Sequence, residues 1–305
     1  MRLLTRSDFD GLACAVLLEE LGLLDGKKFV HPKDMQDGMV EVTENDILAN
    51  VPFVEGCGLW FDHHASEEER GSWNKNYKGA SREAPSAARV IWDYYGGDGR
   101  SGANLVPLLQ AVDKADSAQF SAEEILNPTG WVLVSFVMDP RTGLGRFQDY
   151  RISNYQLMDD MIGYCRRLTA EEILGVPDVQ ERVKRYFAQE AQFREMVERH
   201  TKVDGNVIIT DLRGVEPIYS GNRFVIYALH PKQNISIWCM DGRAKLNAVF
   251  ACGHSIINRA SRTDVGSLML KYGGGGHPKV GTCQVPYGEA ERILGELIGR
   301  MKRDG

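Results

Sequence analysis

Long apolar runs are missing from this 305-residue chain. No stretch approaches the roughly 20 residues that a membrane-spanning helix needs, so no membrane association is expected. The amino terminus carries nothing like an export signal. Met1–Thr5 lead directly into an acidic loop, and the cytoplasm is the expected compartment. Positive charge is not in excess either: 36 Lys and Arg stand against 42 Asp and Glu, a formal net charge of −6. Gripping long duplex nucleic acid requires a broad cationic surface, so that partner class is excluded, whereas a small phosphate compound needs only a few placed cations. Cysteine pairs are also absent. The six cysteines (Cys14, Cys57, Cys165, Cys239, Cys252, Cys283) include no CxxC, and several lie in apolar runs such as 57–61. They read as free thiols of a reducing compartment rather than a disulfide framework. No internal repeat or low-complexity segment interrupts the chain.

What is present is ordinary globular material, 43% hydrophobic and 26% charged, in a chain long enough for two cores. Residues 1–5 predict a buried strand, residues 6–11 a polar loop, and residues 12–21 a helix that is apolar nearly all round. Short strands are expected at 29–30, 39–42, 46–51 and 58–61. A helix should begin at Pro85-Ser86 and run to about Tyr95, where Gly96–Gly99 break it. Another should follow Asn104 to about Ala115. Strands alternating with helices predict a mostly parallel sheet with helices on both faces, and ligands at the carboxyl ends of its strands. Residues 154 to about 202 read as helices, with a break at Gly175-Val176-Pro177. A second α/β unit follows. Its expected strands are 207–210, 224–228, 235–238, 246–250 and 282–285, with helices at 265–272 and 289–302. The fold class is therefore α/β: an N-terminal domain over 1–150, a helical linker over 151–203 and a smaller C-terminal α/β domain over 204–305.

Three clusters carry chemistry. Asp8 and Asp10, two residues apart after the first strand, can both approach a hard divalent cation, although loops also use Asp for turns and caps. Asp62-His63-His64 ends an apolar strand. Three adjacent ionisable groups there are hard to explain by packing. His63 can ligate a metal, a neighbouring carboxylate can orient it, and His64 can face substrate; a solvated turn is the bland reading. Gly273–Gly276 precede His277, with Lys279 two residues on, a pattern that lets backbone N–H groups approach an anion, or that simply joins a helix to a strand.

In this order and spacing the three clusters resemble the DHH phosphoesterase superfamily, over nearly the whole chain. The superfamily includes oligoribonucleotide exonucleases, phosphoadenosine-phosphate phosphatases, cyclic-dinucleotide phosphodiesterases, RecJ-type nucleases, exopolyphosphatases and manganese pyrophosphatases. The Gly-rich segment favours the branch with a DHH-associated substrate domain, oligoribonuclease-like or exopolyphosphatase-related. The resemblance implies metal ligation by Asp8, Asp10 and His63, with Asp62 as a ligand or a support. It implies that His64 contacts phosphate or assists the leaving group, and that a fourth-motif carboxylate closes the site. Asp116 matches that motif best, because a hydroxyl residue and then Phe120 follow at the family spacing; Asp113 competes. In the second domain the resemblance implies a phosphate clamp from Gly274, Gly275, Gly276 and His277, with Arg259, Arg262 and Lys279 as cations beside it.

Two departures stand out. The His that many members carry shortly before the first Asp is absent, and Asn50 stands where the second motif has an Asp that bridges two metals. An amide oxygen can ligate one hard cation but bridges two poorly. Asp46, four residues earlier along a strand and so about 13 Å away, cannot replace it in the same register. The expected activity is metal-assisted hydrolysis, with Mn²⁺ (or Mg²⁺), of a phosphodiester, phosphomonoester or phosphoanhydride. The expected substrate is short: an oligoribonucleotide, phosphoadenosine phosphate, cyclic dinucleotide or polyphosphate. A homodimer is implied by the resemblance alone. The rival reading is a non-catalytic nucleotide- or phosphate-binding protein whose metal site is degraded at Asn50.

Overall fold

The structure, a computed structural model, describes residues 1–64, 67, 71–72, 75–97 and 102–305, with the backbone alone at Ala103 and Arg243. The chain divides into two compact units, one of residues 1–119 and 128–186, the other of 120–127 and 187–305.

The first unit is built on a five-stranded, wholly parallel sheet in the order β2-β1-β3-β4-β5, from β1 (Arg2–Thr5), β2 (Gly26–Phe29), β3 (Asp46–Ala49), β4 (Leu59–Asp62) and β5 (Gly79–Ser81). Strands β1, β3 and β4 are short apolar runs buried on both faces, as a parallel sheet between helices requires. Helix α1 (Phe9–Glu20) is apolar all round because it is sunk in the core; Leu12 to Leu18 are all buried. Helices α2 (Pro32–Gln36), α3 (Ala87–Tyr94) and α4 (Val106–Asp116) follow. Ser86 caps α3 as expected, accepting from Arg89 N. Asn104 is not a cap: Leu105 occupies that position without a side-chain bond, and Asn104 donates to Arg166 O. The expected glycine break falls partly on Asp98 and Gly99, outside the described residues. No strand forms at 39–42. Val40 and Val42 instead pack their side chains on the cluster of Leu4, Leu48 and Trp60, which satisfies the alternation without a ladder.

Residues 151–203, expected as a helical linker, divide between the two units, 151–186 with the first and 187–203 with the second. Helices α7 (Asn154–Arg167) and α8 (Ala170–Gly175) belong to the first unit. There α7 packs on α1, with Arg166 pairing to Glu19 and Glu20, and α8 packs on α6 (Gly130–Met138). Helix α9 (Pro177–Arg199) gives residues 177–186 to the first unit and the rest to the second. Arg182, inside α9, is fully buried. It donates to Ile152 O and Asn154 Oδ1 and lies 3.7 Å over the Tyr150 ring, which ties the helix to the segment before α7.

The second unit holds a mixed six-stranded sheet in the order β10-β11-β9-β8-β7-β6, from β6 (Thr201–Asp204), β7 (Val207–Asp211), β8 (Ile235–Asp241), β9 (Ala248–His254), β10 (Gly275–His277) and β11 (Val280–Val285). Its core sets Val207, Ile209, Ile237 and Phe250 of the sheet against Leu294, Leu297 and Met301 of α12 (Tyr287–Asp304). Also in this unit are α5 (Ala122–Leu126), α10 (Val225–Leu229) and α11 (Val265–Leu270). Residues 224–228 were expected as a strand and form α10 instead. Asn222 Oδ1 takes Phe224 N at 2.9 Å and turns the chain, and a five-residue apolar run fits a buried helix as well as a strand. None of the helices among the described residues is long and apolar enough to cross a membrane.

Candidate active site

Strand order in the first sheet reverses between β1 and β3, and ligands of open α/β sheets bind in the crevice outside such a reversal. Asp8 follows β1, Asn50 follows β3, and His63 and His64 follow β4, so two of the three sequence clusters and Asn50 arrive at one place. Two helix ends complete it. Asp10 lies in the first turn of α1, fully buried, and its carboxylate accepts Ala87 N and Ala88 N at 2.9 Å each, held by the positive end of α3. Asp116 ends α4 and stays partly open to solvent.

The imidazole of His63 joins these carboxylates. Its Nδ1 lies 3.1 Å from Ala84 O, which fixes the proton on that nitrogen and turns the Nε2 lone pair the other way. Nε2 is buried without a hydrogen-bond partner, 3.2 Å from Asp116 Oδ2 and 3.7 Å from Asp10 Oδ2. A lone pair aimed at two carboxylates is repulsive unless a cation lies between them. Among the described residues Asp10, His63 and Asp116 can each offer one ligand atom within 4.8 Å of the others. The pKa shifts point the same way. Burial, then Asp116, pushes the Asp10 carboxyl up to about 7, and burial also raises that of Asp8 despite Arg6 beside it. A divalent ion would remove this charge crowding, and one imidazole with carboxylates is a donor set that suits it.

Asp8 caps α1 through Gly11 N and is held by two more groups: Arg6 Nε at 3.1 Å and Asn50 Nδ2 at 3.0 Å. Asn50 is buried and has a left-handed backbone, φ +56°, a conformation that Asn tolerates better than most residues. Here its amide serves Asp8 as a donor. Asp62, buried at the end of β4, bonds His64 Nδ1 at 2.8 Å. Burial lowers the His64 pKa, but Asp62, with Asp116 and Asp10 behind it, overrides this and brings it to about 9. Asp113 is committed elsewhere, to Ser86 Oγ at 2.7 Å and Arg89 Nε at 2.8 Å, which leaves Asp116 as the carboxylate facing His63. Asp46 sits at the other end of β3, paired with Arg2.

One basic residue at this site was missed in the sequence. Arg141, just after α6, has its N and Nε bonded to Asp139 Oδ1 at 2.8 Å. Its side chain is 56% exposed; crowding disfavours its charge, but Asp139 and then Asp8 and Asp116 more than offset this. The Asp-Pro-Arg-Thr-Gly turn at 139–143, ending in a left-handed glycine after an apolar helix, was the available signal.

In the second unit, Gly275–His277 form an edge strand paired antiparallel to β11 rather than a loop. Glycine is required by close approach. A Cβ on Gly274 would come 2.1 Å from Thr282 O, and one on Gly276 2.2 Å from Val280 O. Arg259 Nε turns back to Ile256 O and Arg262 Nε to Asp304 O. Lys279 is exposed, and its backbone carbonyl accepts His254 N.

No protein-family model and no curated protein matches the sequence. Among solved structures, the chain is 50% identical to a pGpG-specific phosphodiesterase, PggH, from Vibrio cholerae, over 100% of this chain and 99% of that one, with a TM-score of 0.85. The chain belongs to the DHH phosphoesterase superfamily. It is a DHH-type phosphohydrolase acting on a short phosphate-containing substrate. The fold alone is shared with an exopolyphosphatase-related protein from Bacteroides fragilis, at 10% identity over 99% of this chain and 92% of that one, TM-score 0.53. It is shared too with RecJ from Thermus thermophilus in complex with Mn²⁺, at 13% identity over 99% of this chain and 52% of that one, TM-score 0.54.

Proposed function

We propose that this DHH phosphohydrolase is a Mn²⁺-dependent phosphodiesterase that splits a linear dinucleotide, pGpG foremost, into mononucleotides. The observation that carries the metal-site reading is the buried, unpartnered Nε2 of His63 facing Asp10 and Asp116. The full-length 50% identity to a pGpG-specific phosphodiesterase supports the substrate. Asp10, His63 and Asp116 hold the ion, with Asp8 beside them. Asp62 and Asn50 support from behind, one holding His64 and the other Asp8. One imidazole among carboxylates favours Mn²⁺ over Mg²⁺.

When bound, the ion neutralises phosphate oxygens and activates water for attack. His64, oriented by Asp62 through Nδ1, presents Nε2–H to the leaving oxygen and supplies its proton. Arg141, braced by Asp139, offers its remaining guanidinium N–H groups to a non-bridging phosphate oxygen. The chemistry is assigned to residues 1–150. Binding of substrate phosphate is assigned to residues 204–305 through Gly274, Gly275, Gly276 and His277, with Arg259, Arg262 and Lys279 as its cations.

The test is a hydrolysis panel with Mn²⁺ or Mg²⁺ on pGpG, other dinucleotides, a five-nucleotide RNA, phosphoadenosine phosphate, a cyclic dinucleotide and polyphosphate. Turnover confined to dinucleotides, fastest with pGpG and lost in His63→Ala, is expected. Equal or better turnover of the longer RNA or of polyphosphate overturns the assignment.

A further inference from the structure

The carboxyl ends of β1 and β2 border a second feature that the metal cluster does not use, a cavity of about 550 Å³ in the first unit. Arg6, Phe29, His31, Asp139, Tyr155 and Arg182 are among its walls. It lies against the catalytic cluster, because two of its wall residues hold cluster residues directly. Arg6 pairs with Asp8 at 3.1 Å, and Asp139 holds Arg141, whose charge reaches Asp8 and Asp116. A phosphate between Arg141 and the acidic cluster would therefore have this cavity within one nucleotide's reach.

Its lining suits an aromatic heterocycle. Tyr155, in the first turn of α7, is 56% exposed, and its ring is braced edge-on by Phe29 with centroids 5.6 Å apart. A large ring held in place yet open on one side is a stacking platform. The polar groups are few and placed. His31 Nδ1 accepts Lys33 N, which leaves Nε2 as the ring donor. Arg182 is 1% exposed and fixed through its terminal nitrogens, while its Nε has no hydrogen-bond partner although it is buried in the wall. A cavity of this volume holds one small ligand, with apolar walls and a small number of fixed donors giving orientation. The His31 Nε2–H donor calls for a carbonyl or ring-nitrogen acceptor, which the guanine edge provides.

We propose that this cavity binds one nucleobase of the dinucleotide, a purine stacked on Tyr155, and so sets the preference for a substrate with a base next to the scissile phosphate. The inference rests on the dinucleotide assignment above.

Steady-state kinetics on pGpG and equilibrium binding of GMP and of ribose 5-phosphate, with wild type, Tyr155→Ala and Tyr155→Phe, test it. Tyr155→Ala should raise KM for pGpG and Kd for GMP about tenfold or more, the scale of one lost base stack. It should change kcat little and leave ribose 5-phosphate binding alone, and Tyr155→Phe should restore both constants. Wild type that hydrolyses pGpG, with Tyr155→Ala unchanged in KM and in GMP affinity, overturns the cavity and leaves the function standing. Wild type that hydrolyses no dinucleotide overturns the function. In that case a GMP affinity lost in Tyr155→Ala still supports a base site here, and an affinity equal in both proteins removes it.

Discussion

Asn50 Nδ2 donates to Asp8 Oδ1 at 3.0 Å from a buried, left-handed backbone position at the end of β3. A neutral donor there meets a carboxylate whose pKa burial raises, against the opposing charge of Arg6. Asn50→Asp keeps a residue that tolerates the backbone but sets two carboxylates against each other. Without metal, the variant should lose about 1–3 kcal/mol, the cost of leaving a buried polar pair unmatched. With Mn²⁺ the loss should be recovered in part, because the added carboxylate gains a cation. Thermal denaturation in EDTA and in Mn²⁺ checks both halves, and equal stability in EDTA would mean that the Asn50–Asp8 bond contributes nothing.

The metal assignment predicts a stability shift that needs no turnover. Mn²⁺ at a hundred times its Kd should stabilise the wild type by about 2.7 kcal/mol through mass action. His63→Ala and Asp10→Asn should abolish the shift, while Asp113→Asn, which alters only the pair with Ser86 and Arg89, should retain it. Isothermal titration with Mn²⁺ gives the same comparison. Retention of binding in His63→Ala would remove the site from the Asp10, His63 and Asp116 group.

His64 is given a different duty, and the two can be separated. His64→Ala should lower kcat on the order of 10²- to 10⁴-fold, the usual worth of a positioned acid, and leave the Mn²⁺ shift intact. Asp62→Asn should lower kcat less and also leave the shift intact if Asp62 acts only by holding His64 Nδ1 at 2.8 Å. Loss of the shift in Asp62→Asn would instead make Asp62 a ligand.

Strands β1, β3 and β4 were legible as short apolar runs with polar ends, and Asp8, Asp10 and His63 follow from two of those ends, whereas Asp116, at the end of α4, came from the family resemblance and β5 was not expected. What the sequence hid was how the residues divide the work. Asp113 and Asp116 lie one helical turn apart and look equivalent, yet Arg89 and Ser86 claim one of them through bonds spanning 24 and 27 residues. Asn50 reads as a weak ligand in the sequence, and only the fold shows it donating to Asp8. Arg141 lies in a turn with no cluster around it in sequence, and α6 brings it to the site. The helices at 154–186 were legible as helices, but their attachment to the first unit depends on pairs such as Arg166 with Glu20, 146 residues apart. The segment 224–228 failed because five apolar residues carry no period long enough to tell a strand from a helix.

Arg141 is expected to act on charge that develops in the transition state. Its N and Nε are held by Asp139, so the guanidinium is oriented before substrate arrives. Arg141→Ala should lower kcat/KM on the order of 10²-fold, the cost of one preorganised donor. Arg141→Lys should recover only part, since a lysine cannot span Asp139 and a phosphate with a planar fork. Rates on pGpG for the three proteins decide the point, and full activity in Arg141→Ala would place the residue outside the chemistry.

Asp46 supplies a pH test of the fold that is independent of the metal. Its side chain is 1% exposed and accepts Arg2 Nε at 2.7 Å and Thr43 N at 2.7 Å, joining β1 and β3 at the end opposite the site. Burial alone would raise the Asp46 carboxyl, but Arg2 and Thr43 outweigh it and hold it below the ordinary carboxylate value. A carboxyl depressed in the folded protein contributes stability that is fully present above the unfolded value, about 3.9, and lost as pH falls through the folded one. Asp46→Asn should therefore cost about 1–3 kcal/mol at neutral pH. The gap between wild type and variant should stay level down to about pH 5 and close below about pH 4. Urea denaturation of both proteins at several pH values in EDTA measures the gap. A gap that widens on acidification would mean that the Asp46 carboxyl is raised in the folded protein and that Arg2 does not outweigh its burial.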